Sequence, residues 1–384
     1  MNEDTYNEMN QLHESGGAVA TVDQLIQTLR DDKNYDRLFD ALLLKKRLEM
    51  GVPVVRPTSF DNLPEDRRAE FEEHYVNAAR EIGALHLEAG SIPRAWIYLR
   101  TIREPEPIIA AINALDVSQD VDEEIVDIAL YQGVAPAKGL EMLLSSHGTC
   151  NSITVLDQQF MQLEPRVRQE CAALLAQTIY RDLTATIKHE VERKQGFAPT
   201  VETLRELITG REWLFAEDNY HIDVSHLHAV IRFCRSLDAD RDEVRLATEL
   251  TEYGAQLSPQ YRYAGDPPFE DYYTAHHHFF NALTDTDRDA ALDFFRDQLA
   301  GDAPDSDKQL TAYHLVDLLR RIDRTEDALD IAAKYLLSVE DQLEFSFAEL
   351  CAETGRYDKL MEVSRAQQDP VGYAAALVEQ ARTP

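Results

Sequence analysis

The sequence predicts an all-α protein built as an array of antiparallel helical hairpins, and three observations support this fold class. Apolar residues recur with i, i+3, i+4, i+7 spacing from residue 22 to the end of the chain. The alternation of apolar and polar residues that is typical of strands is absent. The predicted helices are short, about ten to sixteen residues each, and turns rich in Gly, Asp or Pro separate them.

The first predicted hairpin shows why each helix needs a neighbour. Two amphipathic segments flank the polar turn "DDKN". Their apolar stripes consist of Val22, Leu25, Ile26 and Leu29 before the turn, and of Leu38, Leu42 and Leu43 after it. A short helix is marginal in water by itself, so each stripe is expected to be buried against the next helix.

Later segments repeat the pattern of helix, polar turn and helix. "VDLLRRIDRTEDALDI" (Val316 to Ile331) aligns with "AELCAETGRYDKLMEV" (Ala348 to Val363) at an offset of 32 residues. "GALHLEAGSIPRAWIY" (residues 83–98) has the same frame, and "HFFNALTDTDRDAALDFFRDQL" is another predicted hairpin. Such self-similarity at a fixed period is the signature of a helical repeat protein.

The chain resembles the tetratricopeptide-like family of α-solenoids most closely at the repeat that contains Gly83. Gly83 and Ala95 stand at the small-residue positions of the first and second helix, and Leu99 and Pro107 fit the later apolar and closing proline positions. The resemblance implies a right-handed superhelical array whose concave face binds a peptide or another protein. In the repeat at Ala348, Leu360 replaces the small residue of the second helix.

The pattern predicts four segments along the chain. Residues 1–20 are a polar N-terminal tail, and residues 21–115 are N-terminal helical-hairpin repeats. Residues 116–215 form a less regular helical middle segment without a clean repeat match, and residues 216–384 are C-terminal repeats that carry His/Tyr-rich stretches. The middle segment contains irregular loops such as "SSHGTCNSITVLDQQF".

The charge balance limits the classes of partner. The chain has 38 Lys and Arg against 70 Asp and Glu, a net charge of −32. Such a chain repels phosphate backbones and anionic lipid, so we expect neither a nucleic-acid partner nor membrane attachment. The first residues lack the apolar region of a secretory signal, and the four cysteines form no CxxC pair, so a cytoplasmic location is expected.

The common catalytic motifs are absent. No GxGxxG, GxxxxGK[ST] or GxSxG occurs, which removes support for a nucleotide cradle or a serine-hydrolase elbow. His189 and Glu190 begin an HExxH-like stretch, but Arg193 stands where the second histidine belongs. A surface helix is the simpler interpretation of this stretch.

Two histidine-rich stretches are the strongest candidates for a functional site. They hold six of the twelve histidines, namely His221, His226, His228, His276, His277 and His278. In the first stretch, Asp223 or Ser225 is expected to cap a helix whose apolar stripe consists of Val224, Leu227, Val230, Ile231 and Cys234. His226 and His228 flank this stripe on opposite sides and cannot bind one ion together, whereas His221 could fold back toward His226.

The second stretch has one apolar and one polar face. Its predicted buried seam consists of Phe269, Tyr272, His276, Phe279 and Leu283, and its polar face of Glu270, Tyr273, His277 and Asn281. The preceding "YRYAGDPP" adds two tyrosines and a rigid turn. His147 and His314 are isolated in the sequence and are expected to be structural or exposed to solvent.

Three interpretations of the two stretches remain open: core packing, a ligand pocket, or a metal or acid–base site. The leading functional prediction is an interaction scaffold that binds a protein, peptide or small ligand in a concave groove. Its predicted ligand contacts are Tyr261, Tyr263, Asp266, Tyr273 and His228.

The alternative prediction is a metal-dependent hydrolase or lyase with a site built from residues 221–228 and 270–278. Its predicted ligands for zinc or manganese are His221, His226 and His277, and Asp223 and Glu270 would act as acid or base. This alternative requires the two stretches to face each other across a cleft.

Overall fold

All regular structure in the described residues is helical, which confirms the all-α prediction. A computed structural model describes residues 3–61, 63–117, 122–339 and 345–382. Within these ranges no strand is found, and no helix has the length and apolar character needed to cross a membrane. The chain divides into two compact units, Met1–Gly148 and Thr149–Pro384. The division falls inside the segment predicted as the less regular middle.

Unit 1 is a succession of packed helices. Its helices are α1 (Glu3–Asp31), α2 (Tyr35–Glu49), α3 (Arg68–Glu88), α4 (Ile92–Thr101), α5 (Glu106–Asn113) and α6 (Glu123–Val126), with a 3-10 turn at Glu65–Arg67 and a π turn at Asp127–Tyr131. Each of the first four packs on the next, and α6 packs on α4. Residues 3–20, predicted as a polar tail, form the start of α1, whose backbone is not helical at Gly17.

A further helix, α7 (Pro136–Gln159), continues through the boundary of the two units, and its backbone is not helical at Gly148. Unit 2 then contains α8 (Pro165–Gln195), α9 (Leu204–Ile208), α10 (Val224–Cys234), α11 (Glu243–Gln256), α12 (Tyr272–Leu283), α13 (Arg288–Ala300), α14 (Asp305–Arg321), α15 (Thr325–Tyr335), α16 (Phe347–Thr354), α17 (Tyr357–Gln367) and α18 (Pro370–Arg382), with 3-10 turns at Phe160–Gln162, Glu212–Asp218 and Pro259–Tyr261. The long α8 packs against α10 and α11, and from α10 onward each helix contacts the next.

Many of the turns that follow helices share one backbone conformation. A residue one or two positions after the helix has a positive φ, and the N–H of the residue that follows it donates to a carbonyl five positions back. Such turns occur at Lys33, Gly51, Gly90, Arg103, Asp285, Asp323, Gly355 and Gln368. This arrangement satisfies carbonyls that the helix end leaves open and reverses the chain. The polar turns of the sequence thus end helices in both units.

The close approach of α3 and α4 agrees with the small residue predicted there. A Cβ atom added at Gly83 would lie 2.7 Å from Cγ of Leu99, and Ala95 is fully buried in the same hairpin. Pro107 does not end α4, as the repeat pattern implies, but lies in the first turn of α5. Its missing N–H costs nothing at that position, because the first turn of a helix leaves N–H groups unpaired.

A buried arginine organises the long connection between α2 and α3. Arg47 is 2% exposed and its guanidinium lies 5.1 Å from the centroid of the Phe71 ring. Its nitrogens donate to the backbone carbonyls of Pro53, Pro57, Ser59 and Asp61. These bonds use every nitrogen of the guanidinium, so the loop around Arg47 provides a hydrogen-bond acceptor for each of them.

Candidate functional site

The two histidine-rich stretches pack directly against each other in the core of unit 2. The rings of His228 and Tyr272 stack with centroids 3.6 Å apart, and the Tyr272 hydroxyl donates to the His228 carbonyl. The predicted stripe of α10 and the predicted seam around α12 are both buried, and His276 is 1% exposed. Asp223 caps α10, as expected. The structure therefore confirms the packing predicted for both stretches.

The ring stack continues from Tyr272 toward an arginine. Tyr272 contacts His276 at a centroid distance of 4.2 Å, and His276 stacks on Phe269, also at 4.2 Å. The guanidinium of Arg235 lies 4.5 Å from the centroid of the Phe269 ring, and the His314 ring lies 5.2 Å from it. The stack thus connects the histidine-rich core to a cationic region of unit 2.

This region is a cleft of about 330 Å³, which we call the arginine cleft. Four arginines line it, namely Arg168, Arg232, Arg235 and Arg321. The remaining lining residues comprise Phe160, Met161, Pro165, Gln169, Ser236, Asp238, Phe279, Tyr313, His314 and Asp317. Four guanidiniums in one small cleft are unexpected in a chain of net charge −32.

Two of the four arginines have carboxylate partners. Arg232 pairs with Asp157 at 2.5 Å, and Arg321 pairs with Asp317 at 3.3 Å. Arg321 also donates to the carbonyl of Arg235 at 2.6 Å, which holds the end of α10 against α14. These two side chains are structural cross-links as well as lining residues.

The other two arginines have no carboxylate within ion-pair distance among the described residues. The guanidinium of Arg235 reaches solvent in part, and the one hydrogen bond that it makes among the described residues joins Nε to the Arg232 carbonyl at 3.4 Å. In the same described part of the chain, the buried Nε of Arg168 has no partner, and its Nη1 makes a long contact with the sulfur of Met161 at 3.9 Å. Several strong donors therefore remain available at this cleft.

The pKa values of the nearby histidines reflect burial and this positive charge. Burial, and then Arg235, lower the pKa of His314 to about 3. The same two causes hold the pKa of His276 well below its usual range. Burial lowers the pKa of Arg235 as well, but an arginine stays protonated at neutral pH. At pH 7 the cleft therefore presents fixed guanidinium charges beside neutral imidazoles.

His221, predicted as a metal ligand, instead anchors a loop. Its Nε2 lies 3.0 Å from a carboxylate oxygen of Glu190, and its Nδ1 lies 3.1 Å from the Tyr253 hydroxyl. Because a carboxylate only accepts, Nε2 carries the proton and Nδ1 accepts from the tyrosine. Asn219 also donates to Glu190, at 3.3 Å. This buried network ties the connection before α10 to α8 and α11.

The remaining predicted metal and acid–base residues are placed elsewhere. His277 contacts Thr251 at 3.2 Å and Glu252 at 4.0 Å. His226 contributes its backbone N–H to the Asp223 cap, and hydrogen bonding to Ser225 lowers the pKa of Asp223. Glu270 is exposed and precedes α12. No group of three His, Cys, Asp or Glu side chains suited to a metal ion occurs among the described residues, so the metal prediction lacks structural support.

The structure places the predicted ligand contacts in different environments. Tyr273 is buried, and its ring lies so close to Gly254 that an added Cβ would be 2.1 Å from it. Tyr263 is exposed and touches His228 edge-on, while Tyr261 contacts Tyr220. The exposed Asp266 accepts from the Phe269 N–H through its backbone carbonyl.

Sequence reasoning missed the residues that line the arginine cleft. Arg168, Arg321 and His314 lie far apart in the chain, and only Arg232 and Arg235 are close enough to suggest a common helix face. The available signal was the stretch "RFCRSL", whose two arginines lie on either side of Cys234, the last residue of the predicted apolar stripe of α10. His314, expected to be isolated, lies at the cleft.

Comparison with known proteins adds no identification. No protein-family model matches the sequence, and no curated protein shows significant similarity to it. The function is therefore inferred from the residues of this chain.

Proposed function

We propose that this chain is a binding protein, and that the arginine cleft of unit 2 holds an anionic group of its ligand. The observation that carries the proposal is Arg235, a partly exposed guanidinium that lines the cleft and has no carboxylate at ion-pair distance among the described residues. The proposal keeps the predicted interaction scaffold but moves its ligand site from the tyrosine-rich loop to the cleft.

The physical reason is the cost of an unpaired buried charge. Removing a charged group from water costs several kcal/mol unless a partner compensates it. The cation–π contact with Phe269 offsets about 1–2 kcal/mol of this cost. A bound anion would complete the compensation, because it would accept from the free donors of Arg235 and Arg168 in a region of low dielectric.

The proposal also includes the repeat architecture, the class of partner and the location that the sequence predicts. Successive helices pack on their neighbours in each unit, which is compatible with a tetratricopeptide-like superhelical array. A protein or peptide carrying the anionic group is the natural partner of such an array, and a cytoplasmic location agrees with the composition. The strong negative charge of the chain still disfavours nucleic acid as the ligand.

Thermal unfolding in different sodium salts at equal ionic strength tests this proposal. The panel contains chloride, acetate, benzoate, phosphate and sulfate, applied to wild type, Arg235→Met and Arg166→Met. Arg166 is the matched control, because it lies on the same helix as Arg168 but is exposed and does not line the cleft. An anion that binds only the folded chain raises its melting temperature with concentration.

We expect at least one anion to stabilise wild type and Arg166→Met beyond chloride, and to leave Arg235→Met unchanged. Equal stabilisation of all three proteins would place the binding elsewhere and contradict the proposal. The absence of any anion-specific shift in wild type would contradict it as well.

A further inference from the structure

We infer that the anionic group in the arginine cleft is a single carboxylate attached to an apolar body, such as the end of a peptide with an apolar last residue. This inference rests on the proposed function and names the ligand class of the same site. Charge balance, donor geometry and the character of the cleft walls support it.

The charge balance favours a monoanion. Four guanidiniums belong to the cleft. Asp317 and Asp238 lie in its lining, Asp157 binds Arg232, and the more distant Asp266 adds a weaker attraction for Arg235. These carboxylates nearly balance the guanidiniums, although none among the described residues pairs directly with Arg235. A bound carboxylate adds one negative charge to this poorly solvated site, whereas a phosphate dianion adds about two.

The net charge of the protein acts in the same direction. A chain of −32 repels every anion that approaches it, and the repulsion grows with the charge of the ligand. A monoanion with a neutral body is repelled least and still gains the full local attraction of Arg235. Acidic peptides with several carboxylates are disfavoured by the same reasoning.

The donor geometry suits a planar acceptor. The Phe269 ring covers Arg235 at 4.5 Å, and among the described residues the only hydrogen bond of this guanidinium is made by Nε. The two terminal nitrogens therefore remain as a fork of N–H groups without a protein acceptor in the described part of the chain. Such a fork matches the two oxygens of a carboxylate in a bidentate pair.

The walls of the cleft suit an apolar body of limited size. Phe160, Met161, Pro165 and Phe279 provide its apolar lining. Its volume of about 330 Å³ lies at the lower end of the range for ligand pockets, about 300–1,000 Å³. The cleft therefore holds one terminal residue or one small carboxylic acid, and a longer peptide would continue outside it.

Isothermal titration calorimetry with small probes of matched shape tests the inference. The probes are 3-phenylpropionate, its neutral amide, acetate and inorganic phosphate, each titrated into the full chain at pH 7. A further pair, N-acetylphenylalanine and its C-terminal amide, represents the end of a peptide. The carboxylate and amide members of a pair differ in charge but hardly in size.

We expect 3-phenylpropionate to bind at least about tenfold more tightly than acetate, because only the larger probe buries apolar surface. Its amide and phosphate should each bind at least about tenfold more weakly than the carboxylate. Tighter binding of N-acetylphenylalanine than of 3-phenylpropionate would identify a peptide end as the source, and the reverse order a free small acid.

The outcomes separate this inference from the proposed function. Binding of inorganic phosphate with at least the affinity of 3-phenylpropionate would overturn the carboxylate assignment and leave an anion-binding cleft. Equal binding of acid and amide would overturn both. The absence of binding by every anion would also overturn both.

A variant series tests the bidentate geometry. Arg235→Lys keeps the positive charge but removes the planar fork, and we expect it to weaken 3-phenylpropionate binding at least about tenfold. Arg166→Met should bind as wild type does. Circular dichroism and the melting temperature show whether each variant is folded. A folded Arg235→Lys protein with wild-type affinity would overturn the bidentate assignment.

Discussion

Two arginines, the buried Arg47 of unit 1 and the partly buried Arg235 of unit 2, differ in how far their donors are satisfied. Arg47 and Arg235 each lie over a phenylalanine ring, at 5.1 and 4.5 Å, and neither has a carboxylate partner among the described residues. Arg47 donates to four backbone carbonyls of its own loop, whereas Arg235 makes one long bond to a carbonyl. The first is saturated by the protein, and the second is not.

The difference indicates how a structural arginine can be distinguished from an arginine that we propose to bind a ligand. Burial, charge and an aromatic neighbour are common to both, so none of these features identifies a site. What separates them is whether the protein itself provides enough acceptors for the guanidinium. An unsatisfied cation in a cleft indicates an acceptor that comes from outside the chain.

The largest expected effect concerns stability. Arg47→Met should lower the free energy of unfolding of unit 1 by about 3 kcal/mol or more, because loop carbonyls lose their donor. Arg235→Met should change the stability of unit 2 by less than about 1 kcal/mol or raise it, because it removes an uncompensated charge. Urea titrations followed by tryptophan fluorescence read the two units separately, since unit 1 contains Trp96 and unit 2 contains Trp213.

Single-tryptophan backgrounds, made with Trp96→Phe or Trp213→Phe, assign each transition to its unit. Arg47→Lys is the matched control, because it keeps the charge but offers fewer donors, and its loss should be intermediate. If Arg235→Met lost as much stability as Arg47→Met, the arginine cleft would be a structural feature and the comparison would fail.

A smaller effect concerns the histidine next to Arg235. The pKa of His314, about 3 in the folded chain, is lowered first by burial and then by Arg235. Arg235→Met should therefore raise this pKa, whereas Arg166→Met should leave it unchanged. Proton NMR titration of the histidine ring signals measures it. An unchanged pKa of His314 in Arg235→Met would show that the guanidinium charge does not affect this pKa.

The same histidine makes stability depend on pH. Its folded pKa lies below the ordinary value of about 6.5, so the unfolded chain binds the proton more tightly. Its contribution to stability is complete above pH 6.5 and is lost as the pH falls toward 3, by at most about 1.4 kcal/mol per pH unit. His314→Gln should therefore show a shallower loss of stability between pH 6.5 and 4.5.

The smallest expected effect concerns the left-handed turns, and one turn position of each unit is compared. Lys33 in unit 1 and Asp323 in unit 2 both occupy left-handed turn positions, with φ of 54° and 60°. Replacing Lys33 by Gly should stabilise unit 1 by about 0.5–1 kcal/mol, because Gly adopts this conformation without a steric cost. Asp323→Gly should gain less, since Asp tolerates the conformation better.

These substitutions also test whether the turn geometry acts alike in both units. A gain at Lys33 with a smaller gain at Asp323 would mean that the turns act alike in both units, and that the contrast between Arg47 and Arg235 arises from the arginines themselves. Destabilisation by Lys33→Gly would show that the left-handed turn is not the determining feature at that position.

Local patterns could be predicted well from the sequence. The apolar stripe of α10, its Asp223 cap, the buried seam around α12 and the close helix approach at Gly83 all follow from residues a few positions apart. The division of the chain near Gly148 and the helix that begins at Glu3 were not predicted. Both depend on how many contacts a segment makes with distant residues, which periodicity does not report.

The candidate site, too, could be predicted from the sequence only where its residues are close together in the chain. The stretch around His228 and His276 was recognised because its histidines are neighbours in the sequence, and it proved to be core packing beside the site. The arginine cleft joins residues from α8, α10 and α14, and no spacing rule connects them. The density of aromatic residues and histidines in the sequence indicated this part of the structure, but it did not reveal the arginines at its edge.

The sequence by itself determined that this chain forms short amphipathic helices joined by tight polar turns, because periodicity and turn chemistry act over a few residues. Only the tertiary structure decided which arginines are satisfied. Arg47 in "KKRLE" and Arg235 in "RFCRSL" both stand at the basic end of an amphipathic helix, and their local sequences do not distinguish them. Their acceptors come from the folded chain around them, so long-range packing made one a loop anchor and left the other open to a ligand.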